Sequence, residues 1–140
     1  MLEFGKKKDG LEYKDRPGAY ALILRKDGMI GAVEGKLGGL HLPGGGIDEG
    51  EIPEEGLRRE VMEEMVREVK SAKFVGEAIQ YVVHPELGAL RKICKFFLVE
   101  LVDGPDGHGD RVTHWATPEE FEQKLFFESH SWAVKEFLLK

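Results

Sequence analysis

The chain has 140 residues, 41% of them hydrophobic and 33% charged, which is the size and composition of a single domain over residues 1–140. Its longest apolar runs, such as Tyr20 to Leu24 and Phe96 to Val99, fall far short of the roughly 20 residues that span a bilayer, so a helical membrane anchor is excluded. A net charge of −6 disfavours nucleic acid and anionic membranes as partners, and the only cysteine, Cys94, excludes an internal disulfide and a multi-cysteine zinc site and fits a reducing, cytoplasmic setting.

The first residues carry Lys6, Lys7 and Lys8 with no apolar run behind them, so a secretory signal is not expected. For Leu2 to Tyr13 the alternatives are an added edge strand or a contact in a homodimer. Ala19 to Arg25 and Met29 to Val33 are apolar runs around the turn Lys26-Asp27-Gly28 and predict a β-hairpin. From Pro53 the period changes: Leu57, Val61, Met65 and Val69 recur every four residues and predict one apolar stripe on a helix, with proline in its first turn. Ile52 stands where a Ser or Thr cap would be stronger. Lys73 to Val83 and Arg91 to Val102 are rich in Val, Ile, Phe and Tyr and predict a second pair of strands.

A glycine-rich loop, Asp103 to Asp110, precedes a short strand around Val112 to Trp115. Thr117-Pro118-Glu119-Glu120 then supplies a cap, a first-turn proline and a glutamate three residues after the cap, which predict a helix. Trp132 to Leu139 is a final amphipathic stretch. Strands, helix, strands and helices in this order predict an α/β (α+β) fold, a mixed central sheet with helices on its faces.

The chemistry is concentrated in Leu42-Pro43-Gly44-Gly45-Gly46-Ile47-Asp48-Glu49-Gly50-Glu51 and the helix that follows. At about 100° per residue from Leu57, Glu64 falls near about −20° and Glu60 near about −60°, beside the apolar stripe rather than opposite it. Glu54 with Arg58, Glu55 with Arg59 and Glu63 with Arg67 are favourable pairs one turn apart, as on any solvated helix. Glu60 and Glu64 have no such partner and repel one another, so a positive group is expected between them. Carboxylates without imidazole or thiolate are hard oxygen ligands suited to Mg²⁺ or Mn²⁺, and Mg²⁺ is commonly shared with substrate phosphates.

Counting from Gly45, five residues intervene before Glu51 and seven more before Arg59, and Glu60, Val61, Glu63 and Glu64 follow in register. This pattern resembles the Nudix box. The closing segment around His130-Ser131-Trp132-Ala133 is also similar to small single-domain Nudix hydrolases. The resemblance implies a Nudix-like α/β/α sandwich and Mg²⁺- or Mn²⁺-dependent hydrolysis of a pyrophosphate bond in a nucleoside diphosphate derivative, above all a nucleoside triphosphate or an oxidised form of one. ADP-ribose, dinucleoside polyphosphates and nucleotide sugars are alternative substrates, and a catalytically weak nucleotide sensor is the alternative function.

Position by position, the resemblance implies Glu60, Glu63, Glu64 and the Gly44 carbonyl as metal ligands. It makes Glu60 the candidate to orient or deprotonate water, Arg59 and Glu51 a pair holding loop to helix, and Gly45 and Gly46 the backbone that approaches substrate. A further carboxylate from a distant loop would come from Asp103, Asp106 or Asp110, although turn-forming aspartate is the commoner role for each. The box ordinarily ends in a glycine and an apolar residue, where this chain has Val66 and Arg67. Valine is a poor left-handed residue and an acceptable helical one, so the helix is expected to run on to about Val69 or Lys70, with Arg67 paired to Glu63.

Overall fold

The computed structural model describes residues 1–140. Its main sheet has five strands in the order β1 (Glu3–Phe4), β6 (Val69–His84), β7 (Gly88–Leu101), β2 (Lys14–Ile23), β5 (Gly44–Gly46). A smaller sheet of three strands is ordered β4 (Leu40–His41), β3 (Ile30–Glu34), β8 (Thr113–Ala116). Helix α1 (Pro53–Met65) lies on one side of the main sheet, and α2 (Pro118–Glu122) and α3 (Glu128–Leu138) lie on the other.

The alternation within β2 makes this layering explicit. Tyr20 and Leu22 pack with Phe121, Ala133 and Val134 of α2 and α3, while Ala19, Ala21 and Ile23 pack with Leu57, Val61 and Met65 of α1. A strand covered on both faces needs apolar residues at every position, which is why Ala19 to Ile23 shows no period of two. The result is the expected mixed sheet with helices on both faces.

The paired strands expected after the helix form as β6 and β7, antiparallel, with register irregularities between Val69 and Ser71 and between Phe74 and Gly76. Thr117 caps α2 as expected, its Oγ1 accepting from Glu120 N at 3.2 Å. At the start of α1, Ile52 supplies no side-chain cap, but Glu55 reaches back to accept from Ile52 N at 3.0 Å. The segment near the N-terminus adds β1 as a parallel edge strand on β6.

Two expectations are corrected. The turn at Lys26-Asp27-Gly28 forms, with Arg25 N donating to Met29 O at 2.9 Å, but its flanking strands do not make a hairpin. Beyond the single bridge between Leu24 and Ile30 they part: β2 is hydrogen-bonded by β7 and β5, and β3 by β4 and β8. Local turn chemistry sets the reversal, but partners distant in sequence claim both strands.

The second correction concerns the end of α1. The helix stops at Met65 and Val66 takes the left-handed conformation, φ 54° and ψ 48°, the only non-glycine residue with positive φ. Val69 keeps its place in the core, but as the first residue of β6. Arg67 does not pair with Glu63: its Nη1 donates to Asp106 at 2.8 Å and its Nη2 to Val102 O at 3.0 Å.

The reason lies in the glycine-rich loop, which folds over the helix end. Gly107 N donates to Met65 O at 3.0 Å and Asp110 N to Glu63 O at 2.8 Å, satisfying carbonyls that the helix leaves without partners. A Cβ on Gly107 would strike Val66 Cβ, and one on Gly109 would strike the Glu64 carbonyl. Close approach is thus provided by glycines some forty residues downstream rather than at the helix end itself. Val66→Gly is expected to stabilise the protein by up to about 1.5 kcal/mol, because relief of left-handed strain of about 1–2 kcal/mol outweighs a glycine entropy cost of about 0.5–1 kcal/mol. The denaturant midpoint checks this; a lower midpoint would mean that packing of Val66 on Gly107 outweighs the strain.

Candidate active site

Antiparallel pairing places the glycines of β5 against β2, with Tyr20 level with Gly44, Ala19 with Gly45 and Gly18 with Gly46. The middle and last turns of α1 lie across this strand, with Glu60 beside Gly45 and Glu64 beside Gly44. Gly44 has φ +138°, and a Cβ there would collide with the Ala19 carbonyl. A Cβ on Gly45 would come within 2.8 Å of the Glu60 carboxyl carbon, so the loop backbone and the Glu60 carboxylate are in near contact only because residue 45 is glycine.

Glu64 is the buried acid of the helix, 6% exposed, and its Oε1 accepts from Gly44 N at 2.8 Å. Burial, opposed by that hydrogen bond and reinforced by the charge of Glu60, raises its carboxyl to about 8. Burial also raises Glu60, against the opposing pull of Arg59. No carboxylate–cation pair involves Glu64, so the positive group expected between Glu60 and Glu64 is not supplied by a side chain in contact with both.

Arg59 is the hub of the loop–helix junction. Its Nε donates to Glu51 Oε2 at 2.8 Å and its Nη2 to Glu51 Oε1 at 3.0 Å, a bidentate pair. Nη2 also reaches Gly46 O at 3.0 Å, and Nη1 reaches Glu60 at 3.0 Å and Glu63 at 3.3 Å. Hydrogen bonding to Arg59 holds the Glu51 carboxyl below the usual carboxylate range, while the guanidinium is raised. Glu51 further accepts from Asp48 N at 2.8 Å, closing the turn that leads into the helix.

No three acid, imidazole or thiol side chains converge at ligating spacing, because Glu60 and Glu63 turn to Arg59 and Glu64 to the Gly44 amide. The donors are still those of a hard-cation site: three carboxylates on adjoining turns of one helix, one of them buried without a cation, beside a glycine strand on which a Cβ would displace Glu60.

The distant aspartates are placed elsewhere. Asp106 accepts from Arg67 and from Trp115 Nε1, both at 2.8 Å, locking the loop to the small sheet. Asp103 lies 3.9 Å from Lys26 at the surface. Asp110 approaches the site through its backbone, which donates to the Glu63 carbonyl.

Beside Glu64 opens a cleft of about 500 Å³, lined by the glycine strand, His41, Phe126 and Phe127. Arg16, Lys36, Lys92 and Arg111 also line it, with Glu64 as the one acid. Sequence reasoning missed these cations: they are scattered from residue 16 to residue 111, and no spacing connects them. His130, in the closing segment, has a structural part: its fully buried Nδ1 accepts from Leu42 N at 3.2 Å and so ties α3 to the entry of the glycine strand.

A family model described as NUDIX domain matches residues 14–137. Among solved structures, the chain is similar to a MutT protein from Methanosarcina mazei Go1, with TM-score 0.75 and 22% identity over 91% of this chain and 96% of that one. A MutT NUDIX hydrolase from Burkholderia pseudomallei gives TM-score 0.71 and 23% identity over 89% and 98% of the two chains. The E. coli ORF135 protein gives 0.69 and 21% over 91% of each. No curated protein sequence matches the chain.

Proposed function

The chain belongs to the NUDIX domain family and is a Nudix pyrophosphohydrolase, and we propose that it cleaves, with Mg²⁺ or Mn²⁺, a pyrophosphate bond in a nucleoside diphosphate derivative, above all a nucleoside triphosphate or an oxidised form of one. The observation that carries this reading is the placement of Glu60 and Glu64 against the Gly44–Gly46 strand at one end of a cleft whose other charged side chains are cationic. Such a cleft suits a polyanion held between a cation-binding end and basic walls.

Glu60, Glu63, Glu64 and the Gly44 carbonyl would hold the ion, which when bound polarises phosphoryl oxygen and activates water. Glu60 is then the residue that orients the attacking water and accepts its proton. Arg59, through Glu51 and the Gly46 carbonyl, keeps the glycine strand at its distance from the helix. The rings of His41, Phe126 and Phe127 supply apolar walls for the part of the substrate that is not phosphate. Asp103, Asp106 and Asp110 have no proposed part in catalysis.

A screen of about 40 nucleoside diphosphate compounds with Mg²⁺ and Mn²⁺, reading released phosphate and pyrophosphate, tests the reading. Turnover of nucleoside triphosphates is expected; tight binding without turnover would establish the sensor instead.

The ion assignment has a separate test in stability. A carboxyl raised from the ordinary range to about 8 binds its proton more tightly in the folded protein than in the unfolded chain, so its contribution is full below the ordinary carboxylate range and is lost as pH rises towards 8. The buried histidines His41 and His130, both lowered by burial, act in the opposite sense and around their ordinary range. Between pH 7 and 9, above that range, the melting temperature in EDTA is therefore expected to fall relative to that of Glu64→Gln, a comparison that cancels the opposing contribution of the buried Lys92, also lowered by burial. Saturating Mg²⁺ is expected to raise the melting temperature of the unsubstituted protein by an increment that widens with pH. An Mg²⁺ increment of zero, or one independent of pH, would remove Glu64 from the ligand set.

A further inference from the structure

Strands β2 and β7 run parallel with Arg16 level with Lys92, and both side chains line the cleft floor. Two cations level on neighbouring strands repel each other. Neither takes part in an ion pair, and the one acid lining the cleft, Glu64, is held by Gly44 N on the helix side. On the other flank, Gln80 of β6 is level with Lys92, but its amide oxygen accepts from Ser129 N at 3.0 Å and its Nε2 donates to Tyr81 O at 3.3 Å.

The Lys92 ammonium instead rests 4.5 Å from the centre of the Phe127 ring and 5.5 Å from that of Tyr20. Burial lowers its pKa, with Cys94 pulling the other way and Arg16 adding to the lowering. The Arg16 guanidinium lies on the glycine strand, where a Cβ at Gly46 would collide with it. A chain of net charge −6 thus presents, on one cleft floor, two adjacent cations that no protein carboxylate neutralises.

We propose that Arg16 and Lys92 form a subsite for a second phosphoryl group, carried by the substrate away from the anhydride that is cleaved. The inference rests on the hydrolase reading above and narrows its substrate class to pyrophosphates phosphorylated at another position. A guanidinium beside an ammonium matches phosphate, the first by paired N–H donors and the second by charge. The subsite is offset from the cleavage site. The Arg16 guanidinium sits beside Gly46, which is level with Gly18, and so lies two residues along the strands from Gly44, whose amide holds Glu64 and which is level with Tyr20, about 7 Å at the rise of a strand. Leu37, Phe126 and Phe127 also wall the cleft and would cover the carbon framework joining the phosphates.

The test compares adenosine 5′-diphosphate with its 2′- and 3′-phosphorylated forms, and adds 5-phosphoribosyl 1-diphosphate, which carries a second phosphate and no base. All are assayed with Mg²⁺ at physiological salt, where long-range attraction is screened. The protein is expected to favour at least one doubly phosphorylated compound over adenosine 5′-diphosphate by about tenfold or more in kcat/KM, chiefly through KM. Arg16→Gln and Lys92→Met should each bring that ratio close to one, whereas Lys73→Met, outside the cleft, should leave it unchanged. Calorimetric dissociation constants for the same compounds, measured without turnover, carry the same comparison if none is hydrolysed, so failure of the hydrolase reading is distinguishable from failure of the subsite. A ratio near one in the unsubstituted protein for every compound overturns the proposal. So does a ratio that survives both cleft substitutions, and so does an equal loss for mono- and doubly phosphorylated compounds, which would assign both cations to the anhydride itself.

Discussion

Glu64→Gln is expected to lower turnover by about a hundred- to a thousandfold, the effect of removing one preorganised electrostatic group from an active site, while leaving the fold intact. The two halves of this expectation have different origins. Turnover falls because an amide offers the cation a neutral oxygen in place of an anionic one. The fold persists because Glu64, raised to about 8 by burial, is already largely protonated at neutral pH in the absence of metal, so the neutral amide replaces a neutral carboxyl. The amide oxygen can still accept from Gly44 N. Melting in EDTA should therefore be unchanged or higher, and the pH-dependent Mg²⁺ increment should disappear. Glu60→Gln should share the loss of turnover, though it also gives up part of the Arg59 contact. Full activity in both variants would refute the assignment of these carboxylates to the cation site.

Arg59→Ala comes next in size, with turnover expected to fall at least about a hundredfold and stability by about 1–2 kcal/mol, since hydrogen bonds between charged groups are lost at a partly exposed site. The guanidinium joins Glu51, Glu60, Glu63 and the Gly46 carbonyl, so its removal frees the glycine strand from the helix and leaves acids facing one another. A displacement of about 1 Å in a catalytic constellation can cost a hundredfold, which is why activity should suffer more than stability. Arg59→Lys should not rescue it, because an ammonium cannot reproduce the bidentate pair with Glu51.

The neighbouring Arg58 is the control. On the sequence alone its loss would do little, but in the fold its Nη1 donates to the Val69 carbonyl at 2.6 Å, tying α1 to the start of β6. Arg58→Ala should cost about 1 kcal/mol of stability and leave turnover nearly unchanged. Kinetics and denaturation on the two variants check the contrast; equal effects on turnover would remove the special role of Arg59.

What the sequence determined follows from short-range periodicity. The helix stripe of Leu57, Val61 and Met65, the register from Gly45 through Glu51 to Glu64, and the Thr117 cap all depend on residues within a few turns of one another, and each takes the expected form. The partnership of Arg59 with Glu51 came from the resemblance to the Nudix box, since helix spacing alone pairs Arg59 with Glu55, which in the fold turns back to Ile52 N.

Only the tertiary structure decided the features set by chain segments that meet from a distance. Ala19 to Arg25 and Met29 to Val33 form different sheets because hydrogen bonds from β7 and β8, far along the chain, outcompete the local hairpin. Helix α1 ends at Met65, with a strained Val66, because Gly107 and Asp110 return to satisfy its last carbonyls. Arg67, on its helix wheel a partner for Glu63, is claimed by Asp106 for the same reason. The cleft floor belongs here too: Arg16 and Lys92 are 76 positions apart and become neighbours only through the parallel register of β2 and β7. Spacing along the chain records which groups share a helix face, because the helix repeat is local. Which strands lie side by side is decided by burial of both faces of a sheet at once, a property of the whole packed chain.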